Sequence, residues 1–291
     1  MEYKTQHYAC PLCNKDVAKD ILQKQEFHIV RCSDCGFVYV NPRLADDQLG
    51  PIYRHNYFHN KDYGYADYEQ EKRLRVKNFE RWLMQAAPFI SRTHPVKALD
   101  VGCAAGYCMD VMKQKGWDAE GLELDEELSR ELNNGGYKVW NRKLEDFATD
   151  TRYDLITLFD VIEHIPNVDA AFTQLNHLLT DDGILVMITP NHASFQRKLF
   201  GKNWFQYKPI EHIQYFTLKT LSVFAERNGL RIVHHEKAGQ HADAAFIINR
   251  LSYYNFPFLR KICNGLFSLF GLKNKCFYPG TGSLFVVLKK A

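Results

Sequence analysis

No stretch of the 291 residues approaches the roughly 18 consecutive apolar side chains that a membrane-crossing helix requires. The opening residues, Met1 to His7, also lack the apolar core of a secretion signal, and both absences lead us to expect a cytoplasmic protein. Charge of one sign is scarce as well: 37 Lys and Arg stand against 34 Asp and Glu, a net charge of +3. That is far from the basic field of a dedicated nucleic-acid binder, so nucleic acid is disfavoured as a partner. Internal repeats and low-complexity tracts are absent. So is the Gly-x-Gly-x-x-Gly turn of nicotinamide dehydrogenases, because Gly102 and Gly106 enclose Cys-Ala-Ala. What remains, 46% hydrophobic and 24% charged residues, is ordinary for a soluble chain able to build one sizeable α/β domain and a small appendage.

The most informative stretch is residues 98–106, Ala-Leu-Asp-Val-Gly-Cys-Ala-Ala-Gly. An apolar run ends in the acid Asp100, glycines follow, and Tyr107 to Lys115 reads as a helix. Strand, small-residue turn and helix N-terminus make a place where backbone comes close to a ligand. The carboxylate opposes a phosphate and suits a cationic or amine-bearing group. A second run, Trp117 to Leu122, ends in Glu123, 23 residues after Asp100. That is the interval at which a βαβ nucleotide fold places its ribose-binding acid. Further strands are expected near Tyr137, over Tyr153–Asp160, Gly183–Pro190 and Leu230–His234, and over Ser283–Lys289. Helices are expected over 69–90, 168–180 and 218–228, the last closed by Gly229.

Four of the eight cysteines are scattered: Cys103, Cys108, Cys263 and Cys276 read as small core residues or free thiols. The other four, Cys10, Cys13, Cys32 and Cys35, form two C-x2-C knuckles separated by 18 residues. That is the spacing of a tetrahedral structural zinc site, with Phe27–Val30 as a strand between the knuckles. Four thiolates leave no open coordination position. The expected organisation is a zinc ribbon over 1–43, a tyrosine- and histidine-rich cap with a helix over 44–90, and the α/β domain over 91–291. Within that domain, 242–272 is a bulky apolar insertion carrying Arg250, Arg260 and Lys261.

This set of strand-end acids, turn and spacing resembles the class I S-adenosylmethionine-dependent methyltransferases. It is closest to the branch of the ubiquinone-biosynthesis O-methyltransferases and the glycan and natural-product enzymes. The resemblance spans roughly residues 75–235 and implies a doubly wound, Rossmann-like sheet of seven mostly parallel strands, the last one antiparallel. It implies S-adenosylmethionine as cofactor, with Asp100 near the methionine portion, Gly102, Cys103 and Gly106 forming the turn, and Glu123 on the ribose hydroxyls. Leu144 and Glu145 fall at the adenine, although Lys143 occupies a position often acidic in relatives. Phe159 and Asp160 end the fourth strand. One departure is Ala104, where the family has a middle glycine, and a slightly displaced loop is expected there.

In the ubiquinone branch an acid-x-x-Glu-His run accompanies a divalent metal, which makes Asp160, Glu163 and His164 one candidate set. The alternative is a plain helix start shaping the pocket floor. For acid–base work the candidates are His164 and His212; His212 lies in a His-x-x-x-Phe segment that the resemblance places at the acceptor pocket. His192, at the end of the fifth strand, is a third.

The expected function is methyl transfer to oxygen or carbon of a small molecule, such as a sugar, a lipid-linked intermediate or a natural product. Two alternatives stay open: an RNA methyltransferase gripping RNA with the ribbon, and a non-catalytic zinc-ribbon interaction protein. Tyr57, Phe58 and Tyr65 on one side, and the insertion on the other, are expected to close over the acceptor; a peripheral membrane contact by the insertion stays open. Nothing in the sequence sets the oligomeric state.

Overall fold

The computed structural model describes residues 4–52, 71–91, 95–253, 256–272 and 275–291. The aromatic segment holding Tyr57, Phe58 and Tyr65 lies outside the described residues. The chain begins with a ribbon of three strands, β1 (Ala18–Lys24), β2 (Phe27–Cys32) and β3 (Val38–Val40). Helix α1 (Lys72–Ala86) leads into the α/β body. There follow β4 (Lys97–Val101), α2 (Tyr107–Gln114), β5 (Asp118–Leu122), α3 (Glu126–Asn134), β6 (Lys138–Trp140) and β7 (Tyr153–Phe159). Then come α4 (Val168–Leu178), β8 (Leu179–Pro190), α5 (Phe195–Phe200), β9 (Gln214–Tyr215), α6 (Leu218–Arg227) and β10 (Leu230–Gly239). The insertion contributes α7 (Ala244–Tyr253) and α8 (Pro257–Leu269), and β11 (Gly280–Lys290) ends the body.

Seven strands form one sheet in the order β10-β11-β8-β7-β4-β5-β6. Neighbours from β8 to β6 are parallel, and β11 runs antiparallel to both β8 and β10. The expected seven-stranded, mostly parallel Rossmann-like sheet is present. Its central strands are buried on both faces, which explains their near-continuous apolar runs. On one face Leu99, Ile156, Leu158, Leu185 and Met187 pack with Phe172 and Leu175 of α4 and Phe224 of α6. On the other, Ala98, Leu155, Ile184, Val186 and Ile188 pack with Trp82 and Leu83 of α1 and Met109 and Met112 of α2.

Local chemistry sets the helix starts. Asp125 accepts from the N–H groups of Glu127 and Leu128 ahead of α3, Asn167 caps α4, and Thr217 with Thr220 forms a reciprocal cap on α6.

The ribbon packs into this body on two sides. Phe37 meets Phe216 and Phe224 at ring-centroid distances of 5.6 and 5.5 Å. Strand β9 adds to the ribbon's edge, Gln214 opposite Tyr39 and Tyr215 opposite Val38. The ribbon's other face, Phe27, Ile29, Val38 and Val40, closes on Trp204, Tyr207, Ile213 and Tyr215. The segment between β8 and α6 is therefore folded against the ribbon as much as against the sheet.

Candidate active site

The carboxyl-terminal ends of β4, β5 and β7 open onto a cavity of about 700 Å³, the place where open α/β sheets bind ligands. Its first pole is built by the β4–α2 turn. Asp100 is buried and its Oδ1 accepts from Thr157 Oγ1 at 2.6 Å. Burial lifts its carboxyl to about 7 despite the Thr157 and Cys108 hydrogen bonds, the condition of a buried acid waiting for a cation.

Gly102 has φ +71°, and a Cβ there would stand 2.7 Å from Val161 Cγ2, so only glycine fits. The N–H groups of Gly102 and Cys103 both donate to the Leu122 carbonyl, at 2.8 and 3.0 Å. The Cys103 carbonyl accepts from the Gly106 N–H at 2.8 Å, and its second lone pair is an acceptor that matches an ammonium group. Gly106, φ +77°, starts α2, and a Cβ on it would meet Leu132 at 2.8 Å.

Glu123 is buried at the end of β5. Its Oε2 accepts from the Ala104 N–H at 2.8 Å and its Oε1 from the Asp125 N–H at 2.9 Å. Burial nevertheless raises its carboxyl above the ordinary range. A carboxylate has about four lone-pair sites, so acceptor capacity remains for a ribose hydroxyl. The same contact explains Ala104, which sits at φ +48° without being glycine: the Glu123 carboxylate ties its amide in place. Leu144 and Glu145 occupy a short turn, Leu144–Asp146, with Leu144 buried and both lining the cavity.

Between the poles stand Phe159 and Asp160. Phe159 contacts Phe79 and Trp82 of α1 at 5.8 and 5.1 Å. Asp160 has φ +55°, and its carboxyl is pushed up to about 6 by burial while Arg75 and Lys208 pull it down.

The second pole joins the turn Ile162–His164 to the segment around His212. The rings of His164 and His212 meet edge to face with centroids 4.8 Å apart. His164 Nδ1 donates to the Glu211 carbonyl and His212 Nδ1 to the Gln206 carbonyl, each at 2.9 Å. A carbonyl can only accept, so each Nδ1 carries the proton, and His212 keeps its lone pair on Nε2. Burial holds both rings neutral, His164 down at about 4 and His212 well below its ordinary value.

Glu163 is buried; its Oε2 accepts from Thr189 Oγ1 at 2.9 Å, and its Oε1 has no partner among the described residues. Donor atoms of Glu163, His164 and His212 lie within 4.8 Å of one another. The close group thus takes in His212, and Asp160 stands outside it. His192 lies apart, its Nε2 bonded to the Tyr207 hydroxyl at 2.9 Å among Trp204 and Tyr215.

The four knuckle cysteines also converge, their Sγ atoms all within 4.8 Å and the pairs Cys10–Cys35 and Cys13–Cys32 at 3.5 Å. A tetrahedron with Zn–S arms of about 2.3 Å has edges of roughly 3.8 Å, so the donor set fits zinc. Of the ribbon's basic residues, Lys15 pairs with Asp34 at 2.6 Å and Lys24 donates to the Tyr207 carbonyl at 2.7 Å.

Sequence reasoning expects the helix over 69–90 without assigning Phe79 and Trp82 to the site, and does not find Arg75, Lys208 or Glu211 at all. The aromatic spacing on α1 carries a faint signal. Lys208 and Glu211 reach the site through the ribbon-packed segment and carry none.

Fold and cavity are those of a Rossmann-like domain that takes its ligand at the strand ends. The family model "Methyltransferase domain" matches residues 68–235, more than half of the chain, and the chain belongs to that family. It is similar to the ubiquinone biosynthesis O-methyltransferases of Leptothrix cholodnii (27% identical over 134 residues; 42% of this chain, 56% of that protein) and Glaesserella parasuis (29% over 110 residues; 34% and 47%). The chain spans about half the length of these curated relatives. Among solved structures it is similar to methyltransferases from Clostridium acetobutylicum (TM-score 0.51, 12% identity; 76% of this chain, 96% of that one) and Archaeoglobus fulgidus (TM-score 0.51, 18%; 77% and 100%). At these identities the likeness is one of fold. Among the described residues no helix is long and apolar enough to cross a membrane.

Proposed function

We propose that this protein moves the methyl group of S-adenosylmethionine onto an oxygen of a small-molecule acceptor. One observation carries the reading: a single cavity holds two strand-end acids, Asp100 and Glu123, at one pole and a neutral histidine pair at the other. The methyl leaves a positive sulfur already activated, so the protein mainly aligns the two partners and excludes water. Asp100 complements the ammonium group and Glu123 receives the ribose hydroxyls. Phe159, clamped by Phe79 and Trp82, separates the poles. His212, neutral and with its Nε2 lone pair fixed by the Gln206 carbonyl, is suited to take the proton of an acceptor hydroxyl.

Two further groups belong to this reading. Zinc held by Cys10, Cys13, Cys32 and Cys35 supplies structure alone, since four thiolates close its coordination shell. A divalent cation is the alternative use of the His212 Nε2 lone pair. Glu163, His164 and His212 suit one, because a buried carboxyl oxygen without a partner among the described residues faces two neutral imidazoles, and His212 Nε2 then binds the ion instead of taking the proton. Such a cation would lower the pKa of a bound hydroxyl. The ubiquinone relatives favour oxygen over carbon as the methylated atom.

Titration calorimetry with S-adenosylmethionine tests the foundation: saturable binding is expected, and its absence in folded protein overturns the reading. Incubation with methyl-labelled cofactor and hydroxylated acceptors then tests the atom. Label recovered on carbon would replace O-methylation by C-methylation.

A further inference from the structure

Helix α8 has no buried residue among its thirteen. A helix that packs on its own body hides an apolar stripe, and α8 turns its stripe outward. At 100° per residue, Phe258, Leu269, Ile262, Leu266, Leu259 and Phe270 fall within one sector of about 120°. Phe258, Leu269 and Phe270 are 74, 77 and 64% exposed. The short helix α5 does the same on a smaller scale, with Phe195 71% and Leu199 64% exposed one turn apart. The two helices meet where Phe200 touches Phe256, ring centroids 6.3 Å apart. Phe200, Phe256 and Leu259 also line the cavity, so the outward apolar face is continuous with the site's wall.

Charge says what covers this face. From residue 244 to residue 280 the sequence contains no Asp or Glu, while Arg250, Arg260, Lys261, Lys273 and Lys275 are basic. Arg260 and Lys261 are exposed beside the apolar stripe, and α5, joined to α8 through Phe200 and Phe256, carries the exposed Lys198, with the exposed Lys202 in the turn that follows it. The insertion alone has few cations for an anionic surface, and the fold supplies the rest. A second copy of the chain fits poorly: a two-fold contact through this face would set Arg260 and Lys261 against positive charge with no acid on α8 to meet them. At about 1.5 Å per residue the helix is some 20 Å long, too short to span a bilayer.

We propose that α8 and α5 lie in the surface of an anionic lipid bilayer, basic residues at the headgroups and the apolar stripe below them. The cavity mouth beside Phe256 and Leu259 then opens at the membrane, and the acceptor is an amphiphile drawn from it. This last step rests on the methyl-transfer reading; the docking itself does not.

Co-sedimentation with phosphatidylcholine vesicles, with and without phosphatidylglycerol, tests the docking on the whole chain. The wild type is expected to bind at least ~10-fold more tightly when phosphatidylglycerol is present. Phe258→Glu with Leu269→Glu should abolish binding to both vesicles. Arg260→Glu with Lys261→Glu should remove the phosphatidylglycerol preference, weakening binding at least ~10-fold. None of these residues lines the cavity, so each variant should titrate S-adenosylmethionine as the wild type does. That titration separates the two readings: its failure in the wild type strikes the methyl-transfer reading and leaves the docking standing. Wild type that ignores both vesicles overturns the docking, as do variants that bind vesicles unchanged. So does a wild-type dimer, split by Phe258→Glu with Leu269→Glu, that never sediments with lipid.

Discussion

The two poles of the cavity are built in opposite ways. Asp100, Gly102 and Glu123 come from two neighbouring strand ends, and their geometry is set by bonds among close residues: Gly102 and Cys103 to the Leu122 carbonyl, Ala104 and Asp125 to Glu123. The histidine pole is assembled across long sequence distances. Glu163 and His164 follow β7, while His212 arrives on a segment whose neighbour β9 is the fourth strand of the ribbon's sheet. The difference assigns the ribbon a task. One face of it packs on α4 and α6 and the other on Trp204 and Tyr207, so it props the segment that carries His212. In the proposed reading, the cofactor pole is held by stiff local geometry and the acceptor pole by contacts that a different appendage could replace.

The largest effect should come from striking that prop. Structural zinc contributes on the order of 10 kcal/mol in small modules, about the whole stability of a domain. Removing it, by Cys32→Ser or by chelation of the wild type, should unfold the ribbon and abolish acceptor turnover. S-adenosylmethionine affinity, read by calorimetry on the same samples, should move far less. Elemental analysis should find zinc in native wild-type protein. Native, fully active protein without zinc would dissolve the contrast between the poles.

Next in size is Glu123→Ala. Its carboxylate makes charge-assisted contacts, each worth about 1.5–3 kcal/mol, so cofactor affinity should fall roughly 10- to 100-fold by titration calorimetry. Unchanged affinity removes Glu123 from the site.

The Asp100 carboxyl, raised from 3.8 to about 7, gives a smaller effect with a definite sign. Folding disfavours its ionisation, so without cofactor its contribution to stability is greatest below pH 3.8 and declines as pH rises toward 7. Cofactor binding runs the other way. The ammonium group meets a full negative charge only above pH 7, so affinity should weaken as pH falls below 7, by at most about tenfold per unit. Asp160, pushed up to about 6 and facing Arg75 and Lys208, adds to the stability slope in the same direction. The diagnostic is therefore the difference between the wild type and Asp100→Asn. An asparagine that keeps the full pH dependence of binding would clear Asp100 of the role.

The sequence reveals the poles unequally for the same physical reason. Asp100 and Glu123 are legible because strand periodicity and a 23-residue interval fix where a βαβ unit puts them. The four cysteines are legible because a tetrahedral ion needs two knuckles. Lys208 and Glu211 are not, since no local pattern says that the segment around them folds onto Val38 and Val40. The exposure of α8 is hidden too: an amphipathic stripe reads the same whether it faces a core or the solvent. The group of Glu163, His164 and His212 falls between. Glu163 and His164 stand adjacent in sequence, but His212 joins them only through the fold.

Ala104→Gly is the finest probe of the stiff pole. A left-handed conformation costs a non-glycine residue about 1–2 kcal/mol, which glycine would relieve at φ +48°. Against this, glycine costs about 0.4–1 kcal/mol in unfolded-chain entropy. The buried methyl, packed with Tyr107, is worth about 0.8 kcal/mol more. These terms nearly cancel, so thermal stability should hardly change. Affinity discriminates further. If the alanine methyl displaces the turn, as the comparison with a glycine-bearing family leads one to expect, glycine should tighten cofactor binding. The 2.8 Å bond from the Ala104 N–H to Glu123 Oε2 is a backbone contact that glycine keeps, and it holds the turn in place. We therefore expect the two proteins to bind S-adenosylmethionine alike, and a clear gain in the variant would show that the methyl, not the carboxylate, sets the loop.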